Sequence, residues 1–218
     1  MTRAAAKSAA FWQDAEQYLA KADRQLGKVI KLAGPCQLRP IRGRSPYEAL
    51  SRAVAFQQLH GKAAQTILNR YLALFPGQDF PSPEQVLQVK DSTIRACGFS
   101  ASKVLALRDI AARTVDGTIP DRKTCARLDD AQIIERLTQA RGVGRWTVEM
   151  FLMFTLARPD VLPVDDFGVR EGYRLLHGLD EQPKPKVLAE LGQRWAPWRT
   201  VAGWYLWRAV EQARLGHL

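Results

Sequence analysis

Apolar residues recur along most of this chain at intervals of three and four, the spacing of one face of an α-helix. Between residues 11 and 33 they fall at Leu19, Ala22, Leu26, Val29, Ile30 and Ala33 and stop at Gly34-Pro35, which predicts a single long amphipathic helix. Later helix starts carry their own punctuation. Ser45 precedes Pro46 and stands three residues before Glu48; Ser82, Pro83 and Gln85 repeat the device; Asp129 with Gln132 gives it a third time. A short acceptor side chain at such a place caps exposed N–H groups, and the Glu or Gln three residues on reaches back to complete the pair. Period-two alternation is hard to find over any useful length. The pattern predicts a nearly all-α fold of about ten helices.

Two composition breaks interrupt the pattern: residues 34–46, rich in Pro, Arg and Gly, and 157–166, a Pro-rich crossing between apolar helices. They bracket a central helical block. There are no low-complexity tracts and no fixed-period repeats. The chain has 218 residues, 46% of them hydrophobic, enough to bury a real core as one large or two small domains. A net charge of +10 favours a polyanionic partner, nucleic acid first. The basic residues are spread along the chain, so any patch must be assembled by folding. The three cysteines, Cys36, Cys97 and Cys125, are widely spaced and form no C-x-x-C pair, which reads as reduced thiols in an intracellular protein. The N-terminal stretch MTRAAAKSAAFWQDAEQYL has no long apolar run and is not expected to be a leader. No segment approaches membrane-spanning length.

The most informative stretch runs from Leu137 to Arg170. It reads as a helix ending in a tight Gly142-Val143-Gly144 turn, a second helix opening at Arg145-Trp146-Thr147, and then a loop with Pro159, Pro163 and the adjacent carboxylates Asp165 and Asp166. The glycines allow a sharp turn and close approach of a ligand. The first N–H groups of the second helix then point outward with the positive end of its dipole, a phosphate seat made of backbone. A carboxylate pair on a separate loop is a candidate for chemistry, although Asp after a proline loop is also a common helix cap. A phosphate grip with an acidic group nearby suggests an enzyme acting on nucleic acid.

Other residues admit two readings each. Six tryptophans occur, and Trp195, Trp198, Trp204 and Trp207 fall within thirteen residues beside Tyr205. They form either an aromatic core, expected for Trp195 and Trp204, or a stacking wall that attracts cationic bases. Trp146 has the same pair of readings. Gln58-Leu59-His60 joins two predicted helices; Leu59 either packs inward or plugs the gap that a flipped base leaves in a duplex. His177 and His217 have no metal-like company and read as surface residues.

Several of these segments together resemble the helix-hairpin-helix (HhH-GPD) DNA glycosylase superfamily, and within it the AlkA-type 3-methyladenine DNA glycosylases II. The hairpin, the aspartate and Trp195-Ala196-Pro197-Trp198-Arg199 with Trp207 carry the likeness in that order. Ser45-Pro46-Tyr47-Glu48-Ala49-Leu50, Gln57-Gln58-Leu59, Lys62-Ala63-Ala64, and Gly98-Phe99-Ser100 with Lys103 extend it over residues 15–212.

The resemblance implies two helical domains flanking a DNA-binding cleft. Residues 46–156 would end in the hairpin, and 1–45 with 157–218 would carry the catalytic aspartate; the N-terminal β domain of some relatives is not expected. In the AlkA pattern the aspartate stands twenty residues after the hairpin tryptophan, which selects Asp166 and leaves Asp165 as cap or loop-orienting residue. Trp146, Met150 (a tyrosine in the relative) and Trp207 take base-pocket positions. Gln58, Leu59 as wedge, His60, Gly142, Val143, Gly144, Arg145 and Thr147 take DNA-binding positions. Carbonyls of Thr138, Ala140 and Val143 match those that hold a monovalent cation, Na+ or K+, in family members. No other cofactor and no iron–sulfur cluster is expected. Strand-cutting relatives use a lysine amine at the place of Trp146, and Lys62, Lys90 and Lys103 all lie outside the hairpin–aspartate segment.

The expectation is a monofunctional, monomeric, intracellular enzyme that removes alkylated purines from double-stranded DNA in base excision repair. A non-catalytic hairpin DNA-binding protein and a glycosylase for deaminated or oxidised bases are the alternatives.

Overall fold

The computed structural model describes residues 9–41 and 43–218; the first eight residues of the stretch expected not to be a leader lie outside them. The described residues form thirteen α-helices and one 3-10 helix, with no strand. The excess over about ten comes from pieces as short as α8, Arg122–Cys125. No helix among the described residues is long and apolar enough to cross a membrane. The chain divides into two compact units, Ile41–Phe151 and Leu152–Leu218 with the residues up to Pro40. The boundaries expected at 46 and 156 fall at 41 and 151 in this division, the second inside a helix whose last turn stacks Phe154 on Trp207.

The unit Ile41–Phe151 contains α3 (Pro46–Phe56), α4 (Gly61–Leu72), α5 (Pro83–Gln88), α6 (Asp91–Ala96), α7 (Ala101–Val115), α8, α9 (Asp130–Leu137) and most of α10 (Arg145–Phe154). The caps fall where the sequence predicts. Ser45 Oγ accepts from Glu48 N–H, and Ser82 with Gln85 and Asp129 with Gln132 form complete capping boxes. Glu48 does not reach back; it pairs with Arg52 Nε at 2.7 Å instead. Leu50, Val54, Leu68, Leu107, Ile110 and Ile133 are fully or almost fully buried, and Tyr71 packs edge-on against Phe75 and Phe99.

The other unit holds α1 (Ala9–Ala22), α2 (Arg24–Ala33), α11 (Phe167–His177), α12 (Pro185–Leu191), the 3-10 turn Gly192–Trp195 and α13 (Arg199–Arg214). The single helix expected over 11–33 is two. Asp23 breaks it, with its backbone extended and its Oδ1 accepting from Gln25 and Leu26 N–H at 3.1 Å each. A continuous apolar face hid a cap in its middle. Trp195 is fully buried and donates its indole N–H to Asp23 Oδ2 at 3.2 Å; Trp204 is also buried, as expected. Tyr205 Oη bridges Glu16 Oε1 (2.8 Å) and Gly34 O (3.0 Å), tying α13 to the first two helices. His177 is no surface residue. Its ring stacks on Tyr173 at 4.1 Å and approaches Asp23 Oδ2 at 3.4 Å. Helices α11 and α13 touch backbone to backbone: a Cβ on Gly172 would lie 2.0 Å from Leu206 O, so only glycine fits.

Candidate functional site

The hairpin is built by local chemistry. Helix α9 ends at Leu137, earlier than the sequence suggested, and Thr138 to Gly144 form the turn. Gly142 adopts φ +76°, which residues with a Cβ rarely do. Val143 N–H donates to Ala140 O at 3.1 Å, and Val148 N–H closes the first helical bond of α10 on Gly144 O at 3.2 Å. Asp109 Oδ2 accepts from Arg141 N–H at 2.7 Å and anchors the turn to α7. Gly144 differs from Gly142. A Cβ there would meet nothing within 4 Å, so the small residue is not required by internal packing. It leaves space in front of the α10 N-terminus, where helix polarity favours an anion.

The side chains around this turn divide by exposure. Trp146 is 44% exposed, against the core reading, and Met150 lies on the same α10 face, half-buried. Thr147 and Val143 are buried, which leaves only their backbones for an outside ligand. Arg145 extends from the same turn and pairs with the buried carboxylate of Glu149 at 2.9 Å. At the α3–α4 turn Leu59 is 40% exposed, so the reading in which it packs inward does not hold. Gln58 and His60 beside it are exposed too.

Asp166 lies in the other unit, on a loop that α13 fastens. Arg199 grips Asp160 with Nε at 2.7 Å and Nη2 at 2.8 Å. Thr200 Oγ1 donates to Arg158 O and accepts from Val161 N–H, at 2.7 and 3.0 Å. These bonds are the structural use of the Pro-Trp-Arg segment. Beyond the loop, Asp166 caps α11: its Oδ1 accepts from Val169 N–H at 2.8 Å. The cap therefore falls on Asp166 and not on Asp165, which is exposed. The same Oδ1 accepts the indole N–H of Trp207 at 2.8 Å. Trp207 is half-buried, and its ring lies near-parallel to Phe154 at 6.0 Å.

The carboxylate is thus held by a helix start and by an aromatic ring. Sequence reasoning missed Gly168 here. A Cβ on it would come within 2.8 Å of Trp207 Cδ1, so this glycine makes room for the indole. A glycine in the first turn of a helix was the available signal. Held in this way, the carboxylate can stabilise positive charge that develops in front of it, or orient a water.

A backbone anion seat, an exposed aromatic beside it and a fixed carboxylate on a proline loop are the parts of a base-excising DNA repair protein. The chain belongs to the HhH-GPD superfamily of base excision DNA repair proteins, whose pattern matches residues 52–197. It is 45% identical over 202 residues to DNA-3-methyladenine glycosylase 1 of Schizosaccharomyces pombe, across 91% of this chain and 88% of that one. Its structure matches that of the 3-methyladenine DNA glycosylase of the same yeast in complex with abasic DNA, with TM-score 0.81, 43% identity, and 94% and 98% of the two chains covered. A DNA-3-methyladenine glycosidase from Bacillus halodurans matches with TM-score 0.81 and 35% identity, over 91% of this chain and 89% of that one.

Proposed function

We propose that this protein is a monofunctional DNA glycosylase of base excision repair that removes alkylated purines, of the 3-methyladenine and 7-methylguanine type, with Asp166 as its catalytic carboxylate. The observation that carries the reading is the double restraint on Asp166 Oδ1 by Val169 N–H and Trp207 Nε1–H, twenty residues beyond the hairpin tryptophan. Hydrolysis of an N-glycosidic bond builds positive charge on the sugar as the base departs. A carboxylate fixed beforehand stabilises that charge without reorganising, and it can orient the water that adds to the sugar carbon. The C–N bond electrons leave with the base. A cationic alkylated purine departs neutral and needs no proton, which suits a site whose functional group is a carboxylate.

In this reading Trp207, bonded to Asp166, and, in the other unit, Trp146 with Met150 on one face of α10 are the base-contacting residues, with stacking worth roughly 1–3 kcal/mol per base face. Gly142, Val143, Gly144, Arg145 and Thr147 seat a phosphate, Val143 and Thr147 through their backbones, and Leu59 fills the vacated stack with Gln58 and His60 beside it. The partner is double-stranded DNA with damaged bases, bound by a monomer inside the cell. Trp146 stands where a strand-cutting enzyme needs an amine, so the product is an abasic site with both strands intact.

The Thr138, Ala140 and Val143 carbonyls suit a monovalent cation. They are uncharged hard oxygens in one tight turn, and no group of three or more His, Cys, Asp or Glu side chains among the described residues could hold a metal ion. Bound there, Na+ or K+ would supply a positive charge beside the phosphate. DNA affinity in K+ should exceed that in tetramethylammonium at equal ionic strength.

Single-lesion duplexes carrying 3-methyladenine, 7-methylguanine, hypoxanthine or 8-oxoguanine test the whole reading. The alkylated purines should be released fastest, and borohydride should trap no covalent complex. Binding without release of any base would favour the non-catalytic alternative. Preferential release of hypoxanthine or 8-oxoguanine would favour the deaminated- or oxidised-base one.

A further inference from the structure

The exposed turn between α3 and α4 has a conformation that its own residues do not favour. Gln58 lies at φ +55°, in the left-handed region where a side chain crowds the backbone. Turns of this kind persist only where neighbours hold them. Two side chains do so. Lys103, from the first turn of α7, donates Nζ–H to Ala55 O at 2.9 Å and to Gln57 O at 2.6 Å. These are among the last carbonyls of α3, where helix polarity places negative charge and a cation is favoured. Partial burial shifts the Lys103 ammonium below the usual lysine range. Gln57 supplies the second tie: its Nε2–H donates to Gly142 O of the hairpin at 3.0 Å. All these residues belong to the unit Ile41–Phe151.

The consequence is mechanical. The plug turn is bound to α7 on one side and to the phosphate-seating turn on the other. A plug that enters a base stack must resist being pushed back, and an exposed leucine on a loose turn would not. We propose that Lys103 and Gln57 are positioning residues for base extrusion, locking the Gln58–His60 turn to the hairpin so that grip on a phosphate and insertion into the stack act as one rigid piece. This rests on the glycosylase reading above. It assigns Lys103 no contact with the reacting atoms; its amine is committed to two backbone carbonyls.

Lys103→Met keeps an unbranched apolar stem and removes the donors; Gln57→Ala removes the second tie. Each should slow single-turnover release of 7-methylguanine from a fully paired duplex by about tenfold, the order of one lost hydrogen bond. Release of the same lesion from a mispaired, already unstacked context should change less than threefold. Lys103→Arg, which can still donate to both carbonyls, should recover most of the rate. In a Leu59→Ala background neither change should cost much further, because the plug they support is gone. In an Asp166→Asn background, 2-aminopurine beside the lesion should report less unstacking with Lys103→Met than without it. Equal losses on paired and mispaired duplexes, costs fully additive with Leu59→Ala, or unchanged rates in both variants would overturn the proposal. If Lys103→Met does not fold, Gln57→Ala alone decides. Absence of base release by the unaltered chain from either duplex would instead remove the glycosylase reading, and this proposal with it.

Discussion

Asp166→Asn separates the two tasks that the structure gives one oxygen. Asp166 Oδ1 accepts from Val169 N–H and from Trp207 Nε1–H, both at 2.8 Å. An asparagine Oδ1 can accept the same two bonds, and Asn caps helices about as well as Asp. The loss of one negative charge at a helix N-terminus costs about 0.3–1 kcal/mol, which bounds the destabilisation. The charge matters far more in the reaction. A unit charge about 4 Å from a developing cation contributes about 4 kcal/mol at an effective dielectric of 20. Its loss should slow base release by about 10²–10³-fold. Asp166→Ala removes the same charge but also the cap and the acceptor of the Trp207 N–H. It should lose a similar rate and in addition about 2–4 kcal/mol of stability. The assays are single-turnover release from a 7-methylguanine duplex, fluorescence anisotropy on an unmodified duplex and thermal melting. Wild-type affinity and a near-wild-type melting temperature should accompany the slow rate of Asp166→Asn. A rate within threefold of wild type, or a larger loss in Asp165→Asn, would refute the assignment of the chemistry to Asp166.

Gly144→Leu should leave the melting temperature nearly unchanged, because a Cβ there meets nothing within 4 Å. Its affinity for duplex DNA should fall about tenfold or more through crowding of the phosphate, and equal affinity would move the seat elsewhere. Gly172→Ala should cost at least about 3 kcal/mol in urea unfolding, since the added carbon overlaps Leu206 O and two helix backbones must part. Burial alone would raise the Asp23 carboxyl. The close approach of His177, the bond from Leu26 N–H and the Arg194 charge outweigh that and hold it at about 2. A folded value below the unfolded one means stability that is complete above about pH 4 and lost as pH falls through about 2, worth roughly 2 kcal/mol. Asp23→Asn should therefore be less stable than wild type at pH 7, with the gap closing toward pH 2; a gap independent of pH would refute the charged network.

Helix class, the caps at Ser45, Ser82 and Asp129, and the hairpin glycine at 142 were all legible in the amino-acid order. Each depends on atoms within one or two turns of chain, so three-residue and four-residue spacings carry the information. The break at Asp23 has the same local cause, but apolar residues continue in phase across it and conceal it. Composition and the hairpin motif likewise pointed to DNA, because a phosphate is met by backbone and charge that need no distant partner. Other features required the assembled helices. The indole of Trp207 finds Asp166 across 41 residues of sequence, and Lys103 reaches Gln57 across 46. Tyr173 and Asp23 enclose a histidine that reads as exposed, and Leu206 decides that position 172 must be glycine. A polar side chain can bond to any acceptor in reach. Which acceptor that is depends on which helix faces approach each other, and the packing of the apolar core settles that only when the whole chain is in place.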